Sequence, residues 1–189
     1  MEAELASELG VSRWPIRQAI ARLEQEHLVV TYPNRGAFVV GLSTDDVHEI
    51  YALRRLLETY AAREAAKRVQ AEHLDRLRRL VVQMVEQAGT GDLASFSEPD
   101  MAFHRSLFEI AGSKRLLEMW ELLSAPVRPL LVIGAKSDPN LSHGVAQRHE
   151  AIIVALATGC PDATQAAVLD HLTQAETRAL HFLEATNDS

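Results

Sequence analysis

The chain has a single cysteine, Cys160, so no intrachain disulfide can form and a reducing compartment is the easier setting. It has no excess of positive charge: 19 Lys and Arg stand against 26 Asp and Glu, a formal net charge of -7. That excludes a protein coated in positive potential, though not a local surface for nucleic acid. No apolar run approaches the roughly 20 residues needed to cross a bilayer, and no basic-then-apolar leader precedes the first helix. A cytoplasmic protein with no membrane partner is the expectation. Repeats, low-complexity segments, a phosphate-cradling glycine loop and a nucleophile constellation are all missing, which removes most hydrolase and kinase chemistries.

What is present is apolar patterning, 47% of 189 residues, enough for one medium domain or a small one joined to a larger one. Residues 1–41 read as the small one. Glu2 to Glu8 forms a short helix, Leu9-Gly10-Val11-Ser12 a tight turn, and Ser12 caps a second helix with Pro15 in its first turn. Ile16, Ala19, Ile20 and Leu23 follow the spacing of a core-facing stripe, while Arg13 and Arg17 share another face, flanked by Gln18 and Arg22. Two strands, 28–32 and 37–40, then enclose the turn-forming Pro33-Asn34-Arg35-Gly36. Helix, turn, helix and a two-stranded wing is an arrangement that reads DNA. The second helix enters the major groove N-terminus first, and the wing tip meets phosphate or the minor groove. The DNA-facing set is Ser12, Arg13, Trp14 and Arg17, with Arg35 and Gly36 at the wing.

Residues 42–189 read as about six antiparallel helices over 44–69, 71–88, 92–112, 114–133, 139–158 and 161–185. Pro99 is expected to kink or restart the third, and Pro126 and Pro129 to bend or end the fourth. Polar residues on their apolar stripes carry the chemistry. Asp100 and His104 lie one turn apart on the face that holds Leu93, Phe96, Phe103, Leu107 and Ala111. His149 shares a face with Val145, Ile152, Ile153 and Leu156, and His171 with Ala167, Val168, Ala175 and Phe182. On the first of these helices Val47, Ile50, Leu57 and Ala61 mark the inner face, with Arg54 in its middle and a carboxylate partner within reach at Glu58 or Glu64.

Taken singly, each is an ordinary core residue: a hydrogen-bonded histidine, an Asp/His pair, an arginine paired inside. Taken together, three imidazoles and a carboxylate are a standard nitrogen and oxygen set for a divalent metal. His27, His48, His73, His143 and His181 sit off such stripes and read as surface or rim.

The run Glu4 to Leu23, followed by Asn34-Arg35-Gly36-Ala37-Phe38-Val39, resembles the winged helix of GntR-type transcriptional regulators. Trp14 stands where that family has a small hydroxyl residue, His27 where it has a turn glycine, and the family carries about one more helix ahead of Met1. Tyr51-Ala52-Leu53-Arg54-Arg55-Leu56-Leu57-Glu58, Asp100-Met101-Ala102-Phe103-His104, Arg148-His149-Glu150-Ala151-Ile152 and Asp170-His171-Leu172 are similar to the marks of the FCD effector domain of the FadR branch, in its shorter, VanR-like form.

The resemblance implies a mainly α protein: a winged helix-turn-helix lacking its first helix over 1–41, then an all-α effector, metal-binding and dimerisation domain over 42–189. It implies zinc, nickel or manganese held by Asp100, His104, His149 and His171, with Arg54 meeting the carboxylate of a small organic acid. A homodimer would carry the response to a double-stranded DNA operator. Two other functions remain open at this stage. One is a metal-dependent enzyme acting on small carboxylates with Glu150 or Asp170 as base; the other is an effector-binding dimer that has lost DNA binding.

Overall fold

The computed structural model describes residues 2–25, 29–32, 36–39 and 41–187. They form two compact units, Met1–Leu42 and Ser43–Ser189.

In the first unit, α1 (Glu2–Glu8) and α2 (Arg13–Gln25) precede β1 (Val29–Tyr32) and β2 (Gly36–Val39). The strands pair antiparallel with Val29 opposite Val39 and Tyr32 opposite Gly36. Gly10, between the two helices, and Gly36, at the start of β2, both have positive φ, the left-handed region that a residue without Cβ enters at no steric cost. The Thr31 amide donates to Glu24 Oε1 at 3.0 Å, tying β1 to α2. Among the described residues here, Ala6, Ile16 and Val29 are buried apolar side chains. The expected stripe on α2 is thus only partly inward: Ile16 is buried and Ile20 half-buried, but Ala19 and Leu23 are exposed. Within this unit α2 packs on α1 and β1, so one side of the helix is covered and the stripe's far edge is not.

The second unit is a bundle of α3 (Thr44–Ala66), α4 (Ala71–Thr90), α5 (Leu93–Ala111), α6 (Lys114–Lys136), α7 (Leu141–Ala157) and α8 (Pro161–Asn187). Local chemistry sets the starts. Ser43 and Asp46 form a reciprocal capping box on α3, with the Asp46 amide donating to Ser43 Oγ at 3.1 Å and the Ser43 amide to Asp46 Oδ2 at 2.8 Å. Asp92 caps α5 and Ser113 caps α6. Gly112 ends α5 in the left-handed conformation.

The prolines neither restart nor end their helices. Pro99 lies inside a continuous α5, and α6 runs through Pro126 and Pro129 to Lys136. An interior proline costs roughly 3 kcal/mol by removing a donor and crowding the preceding turn. Burial of Phe103, Leu107 and Phe108 on α5, and of Trp120, Val127 and Leu130 on α6, offsets that cost.

Packing places α5 against α3, α4 and α6, and α8 against α3, α6 and α7. The inner face of α3 is also shifted from expectation. Val47, Tyr51, Arg54, Glu58, Ala61, Ala62 and Ala65 are buried, whereas Ile50 and Leu57 are only half-buried. On its outer side α3 leaves Leu53, Leu56 and Tyr60 exposed, and the neighbouring α6 leaves Met119 and Leu122 exposed, Leu56 at 70% and Leu122 at 73%.

Candidate functional site

Four helices of the bundle point charge or imidazole into one place. From α3 come Arg54 and Glu58, one turn apart; from α5, Asp100 and His104, also one turn apart; from α7, His149; from α8, His171. All six are buried. The ring centroids of His149 and His171 lie 4.6 Å apart, those of His104 and His171 5.0 Å, and those of His104 and His149 5.8 Å. One ligating atom from each of the three lies within 4.8 Å of the others. Asp100 closes the set, with Oδ1 3.3 Å from His149 Nε2 and Oδ2 3.7 Å from His104 Nε2.

Hydrogen bonds at the outer edge of the cluster orient the rings. His149 Nδ1 faces the Val145 carbonyl at 2.9 Å, and a carbonyl only accepts, so Nδ1 carries the proton and Nε2 keeps its lone pair for the centre. His104 Nδ1 lies 2.5 Å from Glu58 Oε2, which fixes that ring in the same sense. Glu58 Oε1 in turn accepts from Arg54 Nε at 2.6 Å. Inside the ring of donors, Asp100 Oδ2, His104 Nε2, His149 Nε2 and His171 Nδ1 are buried and have no hydrogen-bond partner.

A buried polar atom left unsatisfied costs roughly 1–3 kcal/mol. Four together in a native core call for a common partner. Asp100 Oδ2 and, in neutral rings, Nε2 of His104 and of His149 are lone-pair sites, and a cation would satisfy them together. The residues fit a divalent metal.

The electrostatics agree. Burial pushes the Asp100 carboxyl up, but the neighbouring His149 and His104 imidazoles and the Arg54 guanidinium outweigh it and hold the pKa at about 2. His171 is held well below 6.5, by burial first and then by His149, His104 and Arg54, so its ring is neutral and ready to ligate. Burial also opposes the charge on Glu58, yet Arg54 and His104 keep its pKa below the ordinary carboxylate value.

Arg54 is completely buried. Its guanidinium lies 5.1 Å from the centre of the Tyr51 ring, and only Nε is engaged by Glu58. Both terminal nitrogens are buried without a partner. A fixed cation with two free donors beside a metal-type cluster is suited to a bidentate carboxylate.

Of the carboxylates considered as a base, Glu150 and Asp170 are both exposed, and Asp170 accepts from Gln174 at 2.7 Å. Sequence reasoning named Glu58 as one of two partners for Arg54, but not as the group that orients His104. The Arg54/Glu58 spacing of one helical turn was the available signal. Tyr51, Arg148 and Arg178 line a cavity beside the cluster; the first two stood in the quoted motifs without a role, and Arg178 was not picked out.

In the first unit Ser12, Arg13 and Arg17 are exposed, and Trp14 is 70% exposed. Arg17 Nε donates to Glu2 Oε2 at 2.9 Å and Arg13 lies 3.6 Å from the same oxygen. Arg35 and His27 fall outside the described residues, while Gly36 begins β2.

Comparison with known families agrees with this division of the chain. Residues 49–174 match the FCD domain, and residues 1–39 match the family "Bacterial regulatory proteins, gntR family". A protein of Paenarthrobacter nicotinovorans, "Probable D-xylose utilization operon transcriptional repressor", is 32% identical over 90% of this chain and 74% of its own length. The Nta operon transcriptional regulator of Aminobacter aminovorans is 31% identical over 90% of this chain and 79% of its own. Among solved structures, a transcriptional regulator (GntR family member) from Pseudomonas syringae pv. tomato str. DC3000 superposes with a TM-score of 0.63 at 26% identity, covering 100% of this chain and 78% of that one. These matches are to transcriptional regulators and not to enzymes, so the enzymatic alternative is set aside.

Proposed function

This chain belongs to the GntR family of bacterial regulatory proteins, carries an FCD domain and is a transcriptional regulator, and from that premise we propose that it senses a small organic acid through a bound divalent metal. Asp100, His104, His149 and His171 would hold the ion, and Arg54 would take a carboxylate of the effector. The observation that carries this reading is the convergence of buried, unpartnered lone pairs below an arginine whose two terminal nitrogens are equally unpartnered. The metal supplies residual positive charge and open coordination positions. What the chain itself supplies is orientation: Glu58 and the Val145 carbonyl set two rings, and Glu58 also positions Arg54.

Effector binding would join α3 to α5, α7 and α8 through the metal, and so favour one packing of the bundle over another. Regulation then rests on a difference in effector affinity between DNA-competent and incompetent states. We place operator contacts at Ser12, Arg13, Trp14 and Arg17 on α2, with Arg35 and Gly36 at the wing. By analogy with relatives named as repressors, the activity would be repression of a catabolic operon. The exposed Leu53, Leu56 and Tyr60 of α3 would supply an apolar face for a two-fold dimer, which an operator with two half-sites requires.

The test begins with metal analysis of protein purified without chelator, beside a His149→Ala/His171→Ala variant. Near-stoichiometric zinc, nickel or manganese is expected only in the former, and equal content in both would remove the site. A panel of small organic acids is then titrated into the metal-loaded protein on a fragment of its own promoter. An acid that changes the gel shift with wild type and not with Arg54→Gln supports the sensing model.

A further inference from the structure

Beside the metal-type cluster lies a second set of cations that the proposal above does not use. A cavity in the helical unit is lined by Tyr51, Asp100, His149 and His171, and also by Arg148 and Arg178. Arg148 is satisfied: its guanidinium donates to Asp138 Oδ2 at 2.8 Å, in a notch left by Gly144, where any Cβ would overlap it.

Arg178 is not. It is half-buried on α8, and among the described residues no carboxylate lies within ion-pair distance of it. Burial first, and then the charge of Arg148, lower the pKa of its guanidinium, outweighing the opposing influence of Tyr51, Asp138 and Asp100.

Position explains where it points. Arg178 follows His171 by seven residues, two turns of α8, and helical side chains lean toward the N-terminus. Its long stem therefore runs back toward the level of His171, consistent with both lining one cavity. Asp138 is engaged by Arg148, so Arg178 brings to the cavity wall a guanidinium that no carboxylate among the described residues pairs with directly. A monocarboxylate held at Arg54 and the metal would leave it so.

We propose that the effector is a small dicarboxylic acid, one carboxylate bound by Arg54 and the metal and the other by Arg178 with Arg148 at its flank. This rests on the acid-sensing reading and narrows it to a class. Apolar Leu130, Val145 and Ala175 form other walls of the cavity, which suits a short carbon chain between the two charged ends.

The full chain, loaded with zinc, is titrated calorimetrically with straight-chain diacids from malonate to adipate, each paired with the monoacid of the same length. Wild type should bind at least one diacid about tenfold or more tightly than its matched monoacid, as a charge-assisted contact implies. In Arg178→Gln that preference should fall to about twofold or less, with monoacid affinity, zinc content and melting temperature unchanged. Equal affinity for diacid and monoacid in wild type, or a preference that survives in Arg178→Gln, overturns the assignment. Monoacid binding without diacid preference sinks this inference alone. Failure of every acid to bind the zinc-loaded protein sinks both it and the reading beneath it.

Discussion

Glu58 Oε2 lies 2.5 Å from His104 Nδ1 in a part of the core where both side chains are fully buried. The other oxygen of the same carboxylate accepts from Arg54, so one residue orients a metal-type ligand and an effector-type cation together. Glu58→Gln keeps the shape and removes the charge. Metal affinity is expected to fall about 10–100-fold, the usual loss for an outer-shell partner of a ligating histidine. Competition with a chromogenic chelator measures it, and unchanged far-ultraviolet dichroism would separate the effect from unfolding.

His171 makes stability depend on pH in the metal-free protein. Its folded pKa lies well below the ordinary 6.5, so below pH 6.5 the unfolded chain takes up a proton that the folded one refuses. Stability is therefore lost progressively as pH falls below 6.5. Asp100 acts in a lower window: with its folded pKa at about 2 against an ordinary 3.8, its contribution is present above 3.8 and disappears as pH falls toward 2. Urea titrations of chelated protein at pH 7.5 and 5.5 should show the first loss, and His171→Asn should reduce it.

Arg17→Ala is expected to weaken operator binding by roughly tenfold or more if it reads a base edge. If it meets phosphate alone, the slope of log affinity against log salt should drop by about one without loss of sequence preference. Operator affinity unchanged at every salt concentration would reject α2 as the reading helix. Metal content should be the same as in wild type, because Arg17 belongs to the other unit.

Leu56→Glu places a charge at the centre of the exposed apolar face of α3. Sedimentation velocity should find wild type dimeric at micromolar concentration and the variant shifted toward monomer. Its helicity and metal content should be unchanged, since the side chain is 70% exposed within one chain.

Much of this arrangement was legible in the residues themselves. The apolar face of α5 is one: Phe96, Phe103, Leu107 and Ala111 are buried together, with Asp100 and His104 among them. Helical periodicity is a property of neighbours in sequence, and it places side chains on a face without reference to the rest of the fold. It could not choose between adjacent faces of α3, where Tyr51 and Glu58 took the inner positions expected of Ile50 and Leu57. There Glu58 is buried in an ion pair with Arg54, and its other partner, His104, lies 46 positions away in the chain. Continuous helix through Pro99, Pro126 and Pro129 was hidden for the same reason, because the compensation comes from burial against other elements. Arg178 escaped attention because a half-exposed arginine two turns beyond a histidine carries no signal until a cavity is seen beside it.

The pairing of α3 with α8 has a bearing on biosynthesis. Helices at opposite ends of the bundle pack on one another, so the hydrophobic core stays open while the ribosome is still making the segments between them. His171 is the last of the four candidate ligands to emerge, and until it does the nascent polypeptide offers an ion an incomplete cage. Under the metal-sensing proposal, a complete cage would therefore exist only once α8 has been made.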